Sequence, residues 1–168
     1  MKNLILIIIS LFLVTTLAKG KETRREKRKA REKARMEEVQ QLFSSRNLQF
    51  MAQSAHPMSG GVIHLTSEYT LDIQNEEFTA FLPFFGVAYR AEYGSSEGGI
   101  KFTEKAGKTE WKATKKGFDI RAEVKTLKDL YTLYLTFSVN GYATLEVSSL
   151  NRQPISFHGI VQQIPEKK

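Results

Sequence analysis

The spacing of apolar residues changes once along this chain, at about Leu48, and that change limits what the chain can fold into. Before it, Val39, Leu42 and Phe43 recur at the three- to four-residue spacing of a helix, in a stripe that starts at Met36. After it, β-branched and aromatic residues alternate with polar ones, between frequent turn residues. The pattern predicts a mainly β fold, a single antiparallel β-sandwich or small barrel-like meander, behind a charged N-terminal α-helix.

Ten candidate strands follow between about residues 48 and 162, with separate strands at 61–66 and 68–74, and the register of one hairpin can be derived. A two-residue turn at Asn140-Gly141 would set apolar side chains of one strand opposite polar ones of the next. A three-residue loop at 139–141 instead places Phe137 opposite Ala143, apolar against apolar. We therefore predict the longer loop, with Gly141 in the left-handed conformation.

The same matching of apolar faces extends the meander backwards along the chain. It predicts a four-residue loop at 127–130, which sets Phe118 opposite Val139. It also places Trp111 opposite Ile120, so the single Trp is expected in the core.

The N-terminal segment predicts export. The apolar run from Leu4 to Val14 is too short for a membrane span of roughly 20 residues, so residues 1–18 are interpreted as a signal peptide cut after Ala18. An uncleaved N-terminal anchor is the alternative. The chain has no cysteine, which excludes disulfides, thiolate ligands and a cysteine-linked lipid. We expect a periplasmic, envelope or secreted protein with no transmembrane span in the mature chain.

The positive charge is confined to one segment. Residues 19–35 hold ten Lys or Arg and three Glu, whereas residues 36–168 hold 14 basic and 15 acidic side chains. Residues 19–46 lack proline and are rich in good helix formers, so a charged helix is predicted there, followed by a β domain at 47–168. The basic run is interpreted as a solvated spacer, or else as a contact for anionic lipid or a polyanion. A nucleic-acid partner is not expected.

Residues 82–102 break the alternating pattern by crowding aromatics and glycines around a proline. In the structural interpretation, the segment turns the chain at a corner of the sheet, through Pro83, Gly86, Gly98 and Gly99. In the functional interpretation, it forms a concave apolar mouth for a small apolar ligand or an envelope protein. The candidate residues for that mouth and its rim are Phe84, Phe85, Tyr89, Arg90, Glu92 and Tyr93.

These motifs resemble a known family, the domain-of-unknown-function family 4251 of exported Bacteroidota proteins. The resemblance covers about residues 37–162. It rests on Leu82-Pro83-Phe84-Phe85-Gly86, Ala88-Tyr89, Tyr93-Gly94, Gly98-Gly99-Ile100-Lys101-Phe102, Asn140-Gly141-Tyr142-Ala143, Asn151-Arg152 and Ile155-Ser156-Phe157-His158-Gly159. It implies a fold and an envelope location, and it implies no activity.

The sequence contains no pattern typical of an enzyme. His56, His64 and His158 are far apart along the chain and fit no HExxH motif, so each is interpreted as an ordinary strand or loop residue. No catalytic residue, cofactor or metal site is predicted. The preferred hypothesis is an exported binding or interaction module, and the first alternative is an envelope scaffold held by its basic helix. A less favoured alternative is a hydrolase of envelope glycan or peptide that uses Glu92 or Glu97 near His64 or His158.

Overall fold

The computed structural model describes residues 24–89 and 98–165 and contains one helix and nine strands in that part of the chain. The chain divides into two compact units, Met1–Lys33 and Ala34–Lys168. The elements are α1 (Arg24–Ser45), β1 (Asn47–Pro57), β2 (Ile63–Gln74), β3 (Glu77–Leu82), β4 (Ile100–Lys105), β5 (Lys108–Ala113), β6 (Gly117–Lys125), β7 (Leu130–Ser138), β8 (Tyr142–Ser149) and β9 (Ile155–Gln162). The predicted signal peptide lies outside the described residues.

The described part of the first unit is the solvated start of α1. Its side chains from Arg24 to Lys33 are exposed, and Arg28 Nε lies 3.2 Å from Glu32 Oε1 one turn later. Such exposed pairs contribute only a few tenths of a kcal/mol, roughly 0.3–0.5. Across the described residues, no helix is long and apolar enough to cross a membrane.

The second unit is one curled antiparallel sheet in the order β4-β3-β2-β1-β9-β8-β7-β6-β5, which confirms the mainly β fold. Two meanders, β1–β4 and β5–β9, are joined by the pairing of β1 with β9. Alternate residues of the strands are buried, so one face of the sheet forms the core and the other faces solvent. The half-barrel shape follows from burying a single apolar face against itself.

The two edge strands meet at one corner because only Ala106 and Gly107 connect them. Three residue steps from Lys105 to Lys108 reach at most about 11 Å, so the edges of β4 and β5 must approach there. The Ala106 amide donates to the Glu76 carbonyl, and the Gly107 amide donates to the Glu123 carbonyl, both at 2.9 Å. The connection therefore links opposite edges of the sheet instead of forming a hairpin.

The second half of α1 packs on the concave face of this sheet. Val39 and Leu42 are buried, and the Phe43 ring stacks on Phe118 with centroids 4.5 Å apart. The predicted stripe is therefore confirmed except for Met36, which is 40% exposed. The helix ends at Ser45, because the next residue, Arg46, has a left-handed φ of 55°.

The register of the β7–β8 hairpin is confirmed. Phe137 pairs with Ala143, and Gly141 has a φ of +84°. Trp111 pairs with Ile120 as predicted and packs half-buried against the core.

One register prediction and one division between strands are wrong. Phe118 pairs with Phe137 instead of Val139, because the loop between β6 and β7 spans residues 126–129 and the strands shift by two residues. The candidate strands at 61–66 and 68–74 are one strand, β2, since its irregularity at 65–68 is a bulge opposite β1 and not a turn.

Candidate functional site

The aromatic–glycine segment begins by packing on the core. Pro83 is buried, and the Phe84 and Phe85 rings are half-buried against the hydrophobic cluster. Residues 86–89 are exposed, and Tyr89 has 64% of its surface accessible. The segment is thus half core and half surface.

The remaining candidates in this segment differ in what the structure shows of them. Arg90, Glu92 and Tyr93 lie outside the described residues, as does Glu97 of the hydrolase alternative. Gly98 is exposed, whereas Gly99 lies close against the end of β3, because an added Cβ would be 2.8 Å from the Leu82 carbonyl oxygen. The concave mouth therefore stays a prediction.

Residues 151–153, in the loop between β8 and β9, hold the aromatic–glycine segment in place. The Tyr89 amide donates to the Asn151 carbonyl at 2.7 Å, and the Gln153 amide donates to the Val87 carbonyl at 3.1 Å. The Gln153 side chain also accepts a bond from the Val87 amide at 3.2 Å. Both segments of this short ladder lie in loops. Hydrogen bonds between their backbones therefore hold the two loops together where little packing does so.

Arg152 fastens both ends of the segment at once. Its guanidinium donates to the Gly99 carbonyl at 2.8 Å and lies 5.3 Å from the centroid of the Phe84 ring. A planar guanidinium can donate at its edge while it covers an aromatic face, which a lysine cannot do equally well. Arg152 therefore acts as a clamp between the start and the end of the loop that joins β3 to β4.

A third loop, residues 126–129, is tied to the same place through Asp129. The Asp129 carboxylate accepts bonds from the Leu130 amide, the Leu150 amide and the Ser149 hydroxyl, at 2.8, 3.2 and 2.8 Å. The Asn151 side chain donates to the Lys128 carbonyl at 3.0 Å. We call the surface formed by residues 83–89, 126–129 and 150–153 the loop end.

The loop end exposes large apolar side chains. Leu150 is 72% accessible, and Leu127, Val87 and Tyr89 are each more than half exposed. Exposed apolar residues are ordinary when scattered, but these four lie on three loops that are hydrogen-bonded to one another. Their grouping makes the loop end a candidate contact surface.

The outer face of the sheet carries a second candidate site. Cross-strand pairing places polar residues of six strands in one row, in the order Asp119, Thr136, Thr144, His158, Ser54 and His64. His56 lies two residues beyond Ser54 on the same strand and points to the same side. We call His56, His64 and His158 the histidine cluster.

The imidazoles of the histidine cluster are close enough to interact. The rings of His56 and His158 have centroids 4.1 Å apart with 32° between their planes. Ser54 Oγ lies 3.1 Å from His56 Nε2. Partial burial, with the positive charges of His158 and His64, lowers the pKa of His56 below its ordinary value of 6.5. The lowered pKa favours the neutral form of His56.

A groove on the outer face adjoins His158. It has a volume of about 430 Å³ and is bordered by Gln53, Asp119, Thr136, Tyr142, Thr144 and His158. Gln53 is the extra residue of a bulge in β1, since Ala52 pairs with Gly159 and Ser54 with His158. Bulges of this kind re-aim side chains beside functional sites.

The interpretation of the histidines as unrelated residues overlooked this arrangement. His56 and His158 are about a hundred positions apart in the sequence and meet only because β1 pairs with β9. The strand order would have revealed the cluster, but hydrophobic patterning does not give the strand order.

Comparison with known proteins supports the fold and the family. A family model described as "Domain of unknown function (DUF4251)" matches residues 30–161. A crystal structure of a DUF4251 family protein from Bacteroides eggerthii is similar, with a TM-score of 0.60, 12% identity, and coverage of 77% of this chain and 88% of that one. At this identity, the likeness shows the fold alone. No curated protein matches this chain. The family match spans most of the sequence, and the chain therefore belongs to the DUF4251 family.

Proposed function

We propose that this protein is a non-catalytic binding module of the cell envelope that docks a partner protein on its loop end. The observation that carries the proposal is the group of exposed apolar side chains on three hydrogen-bonded loops. Export is proposed from the N-terminal sequence, and the absence of a recognisable catalytic motif favours binding over catalysis.

The bonding of the loop end supports a docking role. Association costs the ordering of surface side chains and loops, so a surface that is ordered beforehand binds more tightly for the same contact. Tyr89 is well suited to such a contact, because tyrosine combines a rigid apolar ring with a polar tip and is enriched in interfaces. Its backbone amide is bonded to the Asn151 carbonyl, which limits the motion of the main chain that carries the ring.

A protein partner fits the loop end better than a small ligand. Phe84 and Phe85, which line a mouth only in the functional interpretation of the sequence, are half-buried against the core and present only part of their rings. The apolar groups that remain accessible, Val87, Tyr89 and Leu150, are each more than half exposed. Grouped exposed apolar side chains are typical of a contact with another protein.

The test compares two tyrosines of similar exposure. A photo-crosslinking amino acid is placed at Tyr89, which is 64% exposed, or at Tyr142, which is 71% exposed on the outer face of the sheet. After irradiation of producing cells, we expect a discrete adduct of one partner only from position 89. A Tyr89→Ala change should lower recovery of that partner about tenfold, equivalent to about 1.4 kcal/mol.

Two outcomes would contradict the proposal that the loop end docks a partner protein. One is equal crosslinking from both positions, which would indicate non-specific contact. The other is a Tyr89→Ala variant with a lowered melting temperature, which would make Tyr89 a structural residue. The matched Tyr142→Ala variant should leave both partner recovery and melting temperature unchanged.

A second candidate function is supported by the start of α1. All the basic side chains from Arg24 to Lys33 are exposed, so they are accessible to an anionic lipid surface or another polyanion. In this alternative the protein is an envelope scaffold held by its helix. Replacing Arg24, Arg25 and Arg28 by Glu should abolish binding to vesicles that contain anionic lipid, and high salt should have the same effect on the unchanged protein. Binding that persists after both treatments would exclude this function.

A further inference from the structure

All three histidines of the 168-residue chain lie in the histidine cluster. They come from β2, β1 and β9, which are neighbours in the sheet. His64 and His158 both pair with Ser54, one from each side, and His56 is two residues further along β1. The fold thus brings every imidazole of the chain to one place on the outer face.

The His56–His158 pair has nearly the spacing that a shared metal ion needs. A metal bound at about 2.0–2.1 Å from one nitrogen of each ring places the ring centroids about 4.5–5 Å apart. The observed centroid distance is 4.1 Å, with the rings tilted by 32°. His158 is exposed and His56 is half-buried, so a small rotation of one or both side chains would convert the tilted pair into a chelating pair.

Ser54 sets which nitrogen of His56 is available. Its hydroxyl lies 3.1 Å from Nε2, so in the tautomer whose Nε2–H donates to Ser54 the lone pair is on Nδ1. Metal-binding histidines are typically held in this way, with one nitrogen donating to a protein group and the other on the metal. The contact orients the ring and leaves a ligand atom free.

We propose that His56 and His158 form a two-histidine site for a divalent transition-metal ion. Within residues 24–89 and 98–165, no group of three or more His, Cys, Asp or Glu side chains is arranged to hold a metal. The site is therefore a two-ligand chelate whose remaining positions are filled by solvent. Imidazole nitrogens favour Cu²⁺ over Ni²⁺ and Zn²⁺, and they do not suit Ca²⁺ or Mg²⁺, which need oxygen ligands.

His64 serves as the matched control within the cluster. It is exposed and pairs with Ser54, so its exposure and neighbourhood resemble those of His158. It lies on the opposite side of β1 from His158, however, and its ring makes no stacking contact with His56 among the described aromatic pairs. A two-histidine site predicts that His64 is dispensable.

The experiment titrates Cu²⁺ and Ni²⁺ into the full chain, purified without a histidine tag, and follows heat release and the imidazole signals in NMR spectra. We expect one ion per chain and paramagnetic broadening that is strongest for two of the three imidazoles. His56→Gln and His158→Gln should each weaken binding by about tenfold or more, and His64→Gln by less than about threefold. Circular dichroism of each variant separates loss of metal binding from loss of fold.

Three outcomes would overturn the proposal. The first is no saturable binding up to about 1 mM ion, which is a binding free energy of only about −4 kcal/mol. The second is equal weakening by all three changes, which would indicate a diffuse patch of imidazoles. The third is binding that no histidine change affects, which would place the ion elsewhere in the chain. The proposal does not depend on the docking role of the loop end.

Discussion

Gly159 shows how one missing side chain lets two strands pair. The residue is buried in β9 opposite Ala52, and an added Cβ would overlap the carbonyl oxygen of Met51 in the facing strand. The close approach occurs beside the bulge at Gln53, where β1 bends towards β9. Glycine is required at this position because the backbone of β1 leaves no room for a Cβ, and not because the residue has a left-handed φ.

We predict that Gly159→Ala destabilises the protein by about 1–3 kcal/mol, because the new methyl group forces β1 and β9 apart. Gly98→Ala is the control, since a Cβ there meets nothing within 4 Å and a glycine replaced without strain gains about 0.4–1 kcal/mol. Urea denaturation of both variants measures the difference. Equal effects of the two changes would show that the β1–β9 contact does not limit stability.

Gly141 shows what can and cannot be predicted from the sequence about a single residue. Its left-handed conformation was predicted from the matching of apolar residues across the hairpin, and the structure confirms it. The sequence did not indicate that the Arg35 guanidinium lies directly over Gly141 and donates to the Val161 carbonyl at 2.6 Å. Local pattern fixes a local turn, whereas a contact across more than a hundred residues depends on the packed fold.

At the scale of elements, the loops were harder to predict than the strands. The loop between β6 and β7 has four residues as expected, but it runs from Thr126 to Asp129. The Thr126 hydroxyl accepts a bond from the Asp129 amide at 2.9 Å and donates to the Asp129 carbonyl at 3.0 Å. This hydrogen bonding determines where the loop lies. The observed register therefore differs from the predicted one by two residues, an even shift that leaves the same face of the strand buried.

The Arg152 clamp should contribute measurably to stability. Arg152→Ala removes a charged hydrogen bond to Gly99 and the contact with the Phe84 ring, so we expect a loss of about 1.5–3 kcal/mol. Arg121→Ala, at an exposed position of β6, should change stability by less than about 0.5 kcal/mol. Differential scanning calorimetry compares the two. A melting temperature that is unchanged by Arg152→Ala would mean that the loop end holds together without its clamp.

One aromatic side chain, Phe43, packs on the sheet beside the buried Val39 and Leu42 of α1. Phe43 contacts Phe118 and Trp111 at ring-centroid distances of 4.5 and 5.5 Å. Phe43→Ala should lower the free energy of unfolding by about 3 kcal/mol, towards the low end for a phenylalanine because the ring is only half-buried. Met36→Ala, in the same helix but exposed, should cost less than about 1 kcal/mol. Thermal denaturation followed by circular dichroism measures both, and similar losses would contradict the packing described for Phe43.

At the scale of the whole molecule, the nine described strands of the second unit form one continuous sheet over one core. Trp111, the single tryptophan, lies on the edge strand β5 against Phe43 of the helix. It therefore monitors the helix contact and the sheet edge together. We predict that its fluorescence and far-ultraviolet circular dichroism change at the same urea concentration, in a single transition. An earlier change in fluorescence would show that the edge and the helix separate before the sheet unfolds.

The pairing of β1 with β9 explains why the fold class could be predicted and the sites could not. Alternation within each strand indicates a sheet whatever the order of its strands, so the mainly β fold followed from the sequence. The histidine cluster and the row of polar residues exist only because strands from the two meanders are adjacent. Periodicity carries no information on that adjacency.

The same pairing also orders the events of folding. Each meander consists of neighbours in sequence and can form its hairpins within microseconds, roughly 1–10 μs per hairpin. Joining Ala52 to Gly159 instead requires the chain to close a loop of about a hundred residues, whose entropy is lost before the contact is gained. Until that closure, each meander presents an unpaired strand edge to any other chain nearby. We therefore expect the pairing of β1 with β9 to be the slow step of folding. Until that step, the unpaired edges of these two strands are where the chain is most exposed to aggregation.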